Sequence, residues 1–354
     1  MRATLHPLRV AAIDELTDDS VAITFEVPPH LADDYRFRHG QHLSIRGGDD
    51  VRRSYSICTP PSSGTLRIGV KRLPGGAFSE GVVDRLTVGD ELEVMTPAGR
   101  FTTEIDPTAR KRYVAIAAGS GITPILSIVA AVLEGEPGSS VTLVYANRTH
   151  RSVMFLDEVH DLKDRFCERL QIVHVLSRES QDVELFSGRL DADRLRGILA
   201  ALAPADEVDE WFLCGPYDMI TDLRGTLTAA GVGPRHVHAE LFHVGDAPPR
   251  PPVAALAGTA EGAAHVTIRL DGRGSDLDLR PDDVPVLEAA LQVRSDAPFA
   301  CKGGVCGTCR AKVTEGEVTM RRNFALEDEE VDAGFVLTCQ SRPETATVTV
   351  DFDS

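Results

Sequence analysis

The stretch "CKGGVCGTC" (residues 301–309) places three of the chain's seven cysteines in one glycine-rich segment. With Cys339 further along, the spacing is C-x4-C-x2-C plus a distant fourth cysteine, which is typical of plant-type [2Fe–2S] clusters. Structural zinc sites usually pair two short Cys/His hairpins, whereas here the fourth cysteine stands alone. An odd cysteine count also argues against a disulfide framework. The spacing therefore predicts an iron–sulfur cluster with these ligands: Cys301, Cys306, Cys309 and Cys339.

The residues around these cysteines also suit a cluster. Three glycines would let backbone N–H groups approach the sulfur atoms, namely Gly303, Gly304 and Gly307. Cys58 and Cys167 have no metal-binding spacing, and we predict that both are small core residues.

The composition indicates a folded protein of two or three domains. The chain has 354 residues, of which 42% are hydrophobic and 26% charged, which is enough for globular cores. Its formal net charge of −17 argues against nucleic-acid binding, because phosphates would be repelled. No run approaches the roughly 18 apolar residues of a membrane helix, and the N-terminus lacks a signal-like apolar stretch. We therefore expect a soluble, cytoplasmic protein that binds neither nucleic acid nor membranes.

Composition and hydrophobic patterning divide the chain into four segments. Residues 244–264 are rich in Pro, Ala and Gly and are predicted to be a linker, with residues 265–354 as the C-terminal domain. Residues 1–105 carry short alternating runs punctuated by Gly and Pro, which predicts an antiparallel β-barrel. Residues 106–243 alternate buried strands with helical segments, which predicts a doubly wound α/β domain with a parallel sheet.

Two stretches of the predicted barrel suit a ligand site. Its strands are expected at "VAITFEV", "HLSIRG", "RSYSIC", "LRIGVKR" and "ELEVMTP". In "RRSYSIC" (residues 52–58), strand alternation points Arg53 and Tyr55 to one side and Ser56 to the other. In "LPGGAFS" (residues 73–79), two glycines precede an apparent helix, which suits the approach of a phosphate. Each stretch taken alone also fits an ordinary strand or turn.

The α/β domain has a turn of the dinucleotide-binding kind. "AAGSGITP" (residues 117–124) contains Gly119-x-Gly121, but Pro124 stands in place of a third glycine, and the acidic residue that would hold a ribose 2′-OH is missing. Three arginines follow strand or loop ends: Arg148, Arg178 and Arg189. If they converge they can receive a 2′-phosphate, which favours NADPH over NADH; otherwise they are solvated surface residues.

Taken together, the motifs resemble two known families. The first 243 residues resemble the ferredoxin–NADP+ reductase superfamily, and the tail resembles a plant-type ferredoxin. The segments that carry the resemblance are "YRFRHGQHL", "RRSYSIC", "LPGGAFS", "LEVMTPAGRF", "AIAAGSGITPILSI", "YANRT", "LKD", "CGP", "ACKGGVCGTC", "VLTCQ" and "VDFD". The resemblance implies an FAD-binding β-barrel, an NAD(P)H-binding α/β domain and an α+β ferredoxin domain of the β-grasp type. The implied cofactors are FAD, NADPH and a [2Fe–2S] cluster.

The resemblance also implies roles for individual residues on the flavin side. Arg53 would bind the FAD pyrophosphate, Tyr55 would stack on the isoalloxazine, and Ser56 would lie near flavin N5. The glycine-rich turn would supply the second phosphate contact through these residues: Gly76, Ala77, Phe78 and Ser79.

Further residues would position the nicotinamide over the flavin, and the three arginines would hold the 2′-phosphate. The nicotinamide residues are Thr123, Cys214, Gly215 and Pro216. Gly119, Gly121 and Pro124 would bind the cofactor as part of the same turn as Thr123. Glu240 and Phe242 in "AELF" correspond to the family's E-x-F element, although Leu241 departs from the basic residue of relatives. The residues expected nearest the chemistry are Ser56, Cys214 and Glu240.

The implied function is electron transfer from NADPH through FAD and the cluster to a di-iron oxygenase partner. Two alternatives remain open at this point. One is a reductase for another multicomponent oxygenase, such as a steroid or aromatic-ring hydroxylase, with the same domain order. The other is a non-enzymatic iron–sulfur sensor of redox state. Residues 265–354 hold ten Lys/Arg and seventeen Asp/Glu, a net charge of −7, which suggests docking on a basic partner surface.

Overall fold

The computed structural model describes residues 4–47, 51–76, 78–243, 263–280 and 284–354. It contains two compact units. One comprises Pro7–Leu43 and Tyr55–Gly245, and the other comprises Met1–His6, Ser44–Ser54 and Asp246–Ser354. Most of the predicted linker lies outside the described residues, as does Ala77 of the glycine-rich turn.

The N-terminal sheet has six strands in the order β4-β3-β6-β1-β2-β5. The strands are β1 Leu5–Thr17, β2 Ser20–Glu26, β3 His42–Arg46, β4 Arg52–Ser56, β5 Leu66–Lys71 and β6 Glu91–Met95. An antiparallel bridge between Ile57, which directly follows β4, and Ile68 of β5 links the two edge strands. Inward-facing aliphatic side chains such as Ile23, Leu43 and Ile68 have no exposed surface. The predicted antiparallel barrel is therefore confirmed.

Two elements of this region refine the sequence-based expectation. Strand β1 is the longest in the sheet but was not among the predicted runs, because Pro7 and the adjacent charged pair Asp14 and Glu15 break its alternation. Its pairing with β2 also contains two register shifts, which disturb the two-residue period further. The apparent helix after the glycines is present as α1 Ser79–Arg85.

The middle region is a five-stranded sheet whose pairings are all parallel, in the order β11-β10-β7-β8-β9. Its elements are β7 Arg112–Ala118, α2 Ile122–Gly135, β8 Ser140–Asn147, α3 Leu156–Arg165, β9 Leu170–Leu176, α4 Ala192–Leu202, β10 Glu210–Pro216, α5 Tyr217–Ala229 and β11 Val237–His243. Helices α2 and α3 contribute to one apolar core, and α4 and α5 to another. The strand order reverses between β7 and β10, which makes the carboxyl ends of these two strands the expected ligand crevice. The doubly wound prediction is confirmed.

The C-terminal region is a five-stranded sheet in the order β13-β12-β18-β14-β16, with a separate pair of strands, β15 and β17. Its elements are β12 Ala264–Leu270, β13 Arg273–Leu279, α6 Val286–Val293, β14 Arg310–Glu315, β15 Val318–Met320, α7 Asp328–Asp332, β16 Phe335–Leu337, β17 Ser341–Pro343 and β18 Thr347–Asp351. Strands β12 and β18 pair in parallel, and α6 packs its apolar side into the sheet core. This mixed sheet with one packed helix confirms the α+β prediction.

The two cysteines outside the predicted cofactor sites differ in burial. Cys58 is buried as predicted, but Cys167 is exposed, so its assignment to the core was wrong. Helix α3 ends at Arg165, and Cys167 falls in the turn before β9 rather than on a buried face. Within the described parts of the chain, no helix is long and apolar enough to cross a membrane.

Candidate cofactor sites

The four predicted cluster ligands lie in two segments of the C-terminal region. Residues 301–309 form the loop before β14, and Cys339 follows β16 by two residues. Cys309 and Cys339 are buried in one apolar core with Phe299, whereas Cys301 and Cys306 are partly exposed. One side of the loop is therefore anchored in the domain, and the other side faces outward.

The four thiols are arranged as two hydrogen-bonded pairs. The Cys306 thiol bonds that of Cys301, which lowers the pKa of Cys301 and raises the pKa of Cys306. In the same way, Cys309 bonds Cys339 and lowers the pKa of Cys339 while its own is raised. The backbone N–H groups of Gly303 and Cys306 also donate to Cys301 Sγ, at 3.3 and 3.4 Å.

This arrangement fits a two-iron cluster better than a single metal ion. In a [2Fe–2S] cluster held by four cysteines, each iron takes two thiolates, so two sulfur pairs are what the protein must supply. Among the described residues, no three Cys, His, Asp or Glu side chains converge on one point as a mononuclear site would require. Two of the predicted glycines also have left-handed backbone, Gly304 with φ +79° and Gly307 with φ +68°. A Cβ at Gly304 would lie in a tight contact 3.2 Å from the Arg322 carbonyl oxygen, and the positive φ would strain any other residue there.

The predicted FAD residues on β4 present an exposed charge and an aromatic ring. Arg53 is exposed, and its Nη1 donates to the carbonyl oxygen of Arg52 at 2.8 Å. Tyr55 is partly exposed, and its ring lies 5.6 Å from that of Phe78, centroid to centroid. An accessible arginine two residues from an accessible tyrosine fits a pyrophosphate next to a flat isoalloxazine ring.

The glycine-rich turn is tightly built around Ser79. The buried Ser79 hydroxyl accepts a hydrogen bond from the Leu73 N–H at 3.1 Å. A Cβ on Gly76 would lie 2.5 Å from that hydroxyl oxygen and 2.8 Å from the Leu73 carbonyl oxygen. The predicted residues Gly76 and Ser79 therefore shape the turn itself, and their contact with a phosphate stays a prediction.

Ser56, Cys214 and Glu240 lie close together although they are far apart in the sequence. Ser56 Oγ donates to Glu240 Oε2 at 3.3 Å, and Cys214 pairs in register with Glu240 across β10 and β11. Glu240 keeps some exposure as a residue, but its carboxyl group packs inside, and burial raises its pKa to about 7. Burial, and secondarily the charge of Glu240, raises the pKa of Cys214 well above its usual value, so the thiol stays protonated.

The glycine turn after β7 lies directly against the end of β10. A Cβ on Gly121 would lie 2.3 Å from the Cys214 carbonyl oxygen, so only glycine permits this approach. Gly119 has left-handed backbone with φ +54°. Pro124 is the third residue of α2, where a proline costs no internal hydrogen bond, so a third glycine is not required there.

Other residues predicted to bind the nicotinamide nucleotide or the flavin lie near the same ends of β7 and β10. Thr123 is buried, and its hydroxyl donates to the Ser120 carbonyl oxygen at 3.1 Å. Gly215 and Pro216 end β10, and Phe242 on β11 packs against the core shared by the barrel and α2. The region at the carboxyl ends of β7 and β10, where a ligand is expected, thus brings together residues from four separate sequence segments.

Tyr145 is a site residue that sequence reasoning missed. It lies inside β8 with no exposed surface, and its hydroxyl group is 3.1 Å from the carbonyl oxygen of Gly119 and 3.2 Å from that of Met154. The Tyr145 hydroxyl group therefore holds the glycine turn in place through its contact with the Gly119 carbonyl group. Its signal was a polar-tipped aromatic residue inside the apolar run "TLVYA", which needs a partner when buried.

The three predicted phosphate-binding arginines follow neighbouring backbone segments. The Arg178 N–H donates to the Arg148 carbonyl oxygen at 2.8 Å, and Leu176 bridges Ser187, two residues before Arg189. All three side chains are exposed. Among the described residues, none of their guanidinium groups forms an ion pair with a carboxylate. Arg148 directly follows the carboxyl end of β8, Arg178 lies in the turn after β9, and the convergence of the three side chains stays a prediction.

Comparison with protein-family models gives three matches in chain order. Residues 7–103 match an oxidoreductase FAD-binding domain, residues 115–225 an oxidoreductase NAD-binding domain, and residues 268–344 a 2Fe-2S iron-sulfur cluster binding domain. These domains and the sites above define an NAD(P)H-dependent flavin and iron–sulfur oxidoreductase. Its cofactors are FAD, a [2Fe–2S] cluster and a nicotinamide nucleotide.

Whole-chain relatives and a solved structure agree with this class. One component of the 1,2-phenylacetyl-CoA epoxidase of Escherichia coli K12 is 43% identical over 99% of this chain and 98% of its own. The ferredoxin reductase component of the 3-ketosteroid-9-alpha-monooxygenase of Rhodococcus rhodochrous is 35% identical over 98% of this chain and 96% of its own. Phthalate dioxygenase reductase shares the fold, with a TM-score of 0.59, 24% identity and 98% coverage of both chains. The chain belongs to the oxygenase reductases of the ferredoxin–NADP+ reductase superfamily that carry a C-terminal plant-type ferredoxin domain.

Proposed function

We propose that this protein is the NADPH-dependent reductase component of a phenylacetyl-CoA 1,2-epoxidase and delivers electrons to a di-iron oxygenase in the cytoplasm. The observation that carries the proposal is the 43% identity to the epoxidase component, which extends over 99% of the chain. The chain carries the three sites that such a reductase needs, one each for the flavin, the nicotinamide nucleotide and the cluster. The FAD-binding and NAD-binding domains favour this enzyme over the iron–sulfur sensor.

We propose that the chain consists of an FAD-binding domain at 1–105, an NAD(P)H-binding domain at 106–243, a linker at 244–264 and a ferredoxin domain at 265–354. Each family-model match falls inside the corresponding domain, which supports these limits.

When bound, FAD accepts a hydride and the cluster carries single electrons, and the protein supplies binding, orientation and electrostatics. Tyr55 would offer a ring face for the isoalloxazine, and Arg53 would hold the pyrophosphate through its positive charge. The Ser56 hydroxyl donates to Glu240, and this hydrogen bond would hold the hydroxyl in one orientation when FAD is bound. Gly121 lets the turn after β7 lie directly against the Cys214 carbonyl group, where a side chain would clash.

Selection of NADPH rests on the three arginines in this proposal. Arg148 and Arg178 follow adjacent parallel strands and are joined by a backbone hydrogen bond, so their side chains start from one edge. A guanidinium group matches the geometry of a phosphate and binds it through two parallel hydrogen bonds. A cluster of three arginines without described carboxylate partners thus supports recognition of a 2′-phosphate.

Reconstitution with purified oxygenase components tests the proposed partner. We expect NADPH-dependent epoxidation of phenylacetyl-CoA when this protein is combined with a phenylacetyl-CoA oxygenase. The alternative is supported by the 35% identity to a 3-ketosteroid-9-alpha-monooxygenase reductase component. Faster turnover with a steroid oxygenase under the same conditions would favour that alternative and contradict the proposal.

Electron delivery should depend on salt concentration. The C-terminal domain has a net charge of −7 and the whole chain −17, so docking on a basic oxygenase surface is driven by opposite charges. We expect turnover with the oxygenase to fall as NaCl rises from about 0.05 to about 0.5 M, because exposed charges are increasingly screened. Flavin bleaching by NADPH under the same salt series is the control for effects on the first step. A turnover rate that does not respond to salt would rule out electrostatic docking.

Substitution Glu240→Gln should change how stability depends on pH. The Glu240 carboxyl has a pKa of about 7 in the folded protein against a usual 4.5. Between these values the folded state binds more protons than the unfolded chain, so wild-type stability falls as pH rises. The variant lacks this group, and its melting temperature should therefore gain on that of wild type as the pH is raised from about 5 to about 8. Thermal release of flavin fluorescence measures this, and a constant difference across the range would contradict the assigned shift.

A further inference from the structure

A buried arginine on β4 contacts the cluster-binding part of the protein. Arg52 is only 5% exposed, and its guanidinium carbon lies 3.8 Å from the centre of the Phe299 ring. The segment Ser44–Ser54, which contains Arg52, belongs to the same compact unit as Asp246–Ser354. A guanidinium group stacked on an aromatic face away from water is one of the stronger cation–π contacts.

Phe299 is built into the cluster-binding loop. It is 1% exposed, it precedes the ligand Cys301 by two residues, and it shares an apolar core with Cys309 and Cys339. A second cation lies against its ring, because Lys302 Nζ is 4.6 Å from the ring centre. Movement of this ring would therefore move the loop that carries the cluster ligands.

The cluster-binding loop, residues 301–309, is also held by contacts within the C-terminal domain. Lys302 has left-handed backbone with φ +51°, and its Nζ pairs with a Glu288 carboxylate oxygen at 2.7 Å. Gln340 Nε2 donates to the Lys302 carbonyl oxygen at 2.9 Å. These contacts fix Lys302 within the C-terminal domain itself, whereas Arg52 reaches Phe299 from β4.

The same stretch of β4 carries the proposed FAD contacts. Arg53 follows Arg52 directly and donates to its carbonyl oxygen, and Tyr55 is two residues further along. Because side chains alternate along a strand, Arg52 projects to the face opposite Arg53 and Tyr55. One short strand thus presents the flavin residues on one face and the contact with the cluster loop on the other.

We propose that Arg52 is a positioning residue for electron transfer from flavin to cluster, because it holds the cluster loop against the strand that binds FAD. The inference rests on the proposed roles of Arg53 and Tyr55 in FAD binding. Each transfer removes one electron from the reduced flavin and adds one to the oxidised iron pair. Arg52 takes no part in the bonds or charges that change. Its role is to hold the cluster loop against β4 through the Phe299 ring.

Three variants test this inference in the full-length, cofactor-loaded protein: Arg52→Ala, Arg52→Lys and the control Arg36→Ala. Arg36 is 81% exposed and pairs only with Asp33 at the surface among the described residues. Anaerobic stopped-flow mixing with NADPH separates bleaching of the flavin band from the later bleaching of the cluster band. Hydrogen exchange at residues 51–54 and at β12, together with the cluster's midpoint potential, provides readouts independent of turnover.

We expect Arg52→Ala to slow cluster reduction about tenfold, equivalent to about 1.4 kcal/mol, while flavin reduction by NADPH stays near wild type. Exchange at residues 51–54 should accelerate, whereas β12 and the midpoint potential should not change. Arg52→Lys should restore part of the rate, because lysine keeps the cation but loses the stacked plane. Arg36→Ala should match wild type.

Two results would overturn the inference. Cluster reduction at the wild-type rate in Arg52→Ala would show that the contact does not position the cluster. Slowing of flavin and cluster reduction by the same factor, with faster exchange at β12, would show a general structural role instead. Failure of NADPH to bleach the flavin in wild-type protein would instead refute the proposed function, so the two failures are distinguishable.

Discussion

Cys306→Ala is expected to separate the two halves of the electron pathway. Cys306 pairs with Cys301, so its loss leaves one iron with a single protein thiolate, and the cluster should not assemble. Loss of outer-shell partners alone costs about 10–100-fold in metal affinity, and loss of a ligand should cost at least as much. We therefore expect iron content near zero and NADPH–cytochrome c reduction reduced at least about 100-fold.

The flavin half of the pathway should survive in this variant. NADPH-dependent ferricyanide reduction, which the flavin can support, should stay near the wild-type rate, because the FAD-binding and NAD-binding domains are untouched. Cys167→Ala is the matched control, since Cys167 is the exposed cysteine outside the cluster-binding loop. If Cys306→Ala retained stoichiometric iron and full cytochrome c reduction, the assigned ligand set would be wrong.

The double variant Arg148→Ser/Arg178→Ser is expected to remove the preference for NADPH. Each charge-assisted hydrogen bond to the 2′-phosphate contributes about 1.5–3 kcal/mol, or roughly tenfold or more in affinity. We expect kcat/KM for NADPH to fall about 100-fold or more, and kcat/KM for NADH to change little, because NADH has no 2′-phosphate. Steady-state ferricyanide reduction with each nucleotide measures both values.

The control for this prediction is Arg196→Ser. Arg196 lies on α4, is exposed and pairs with Asp193, so its replacement removes a positive charge from the same domain. An equal loss for NADPH and NADH in the double variant would indicate a general effect on nucleotide binding. An NADH preference in the wild-type protein would contradict the assignment of the arginines to a 2′-phosphate.

Patterns confined to a short stretch of sequence predicted most of the fold. The cluster spacing, the alternating barrel strands and the alternation of strands and helices in the α/β domain all depend on local periodicity. The structure confirms the architecture that they imply. Strand β1 was not predicted, because Pro7 and the register shifts interrupt its alternation of apolar and polar residues. Its pairing with β2 and β6 depends on the tertiary structure and leaves no local pattern in the sequence.

The parts of the sites that were not predicted depend on contacts between distant residues. The pairing of Cys301 with Cys306 and of Cys309 with Cys339 is fixed by the folded loop and not by spacing. Tyr145 reaches Gly119 only because β7 and β8 are neighbours, and no local pattern links the two.

Residues with few local constraints were placed least well. Cys167 was assigned to the core from its residue type, but it falls in a turn. Arg52 carried no signal at all, because an arginine at the start of a strand is ordinarily solvated. Its burial against Phe299 brings together two parts of the chain that are far apart in the sequence.

An anaerobic reductive titration of the purified protein tests the central claim most directly, that one chain carries both FAD and a [2Fe–2S] cluster. The account predicts uptake of three electrons per chain, two by the flavin and one by the cluster, with bleaching of both absorption bands. Uptake of two electrons by the flavin alone, with zinc or no metal at the four cysteines, would contradict it.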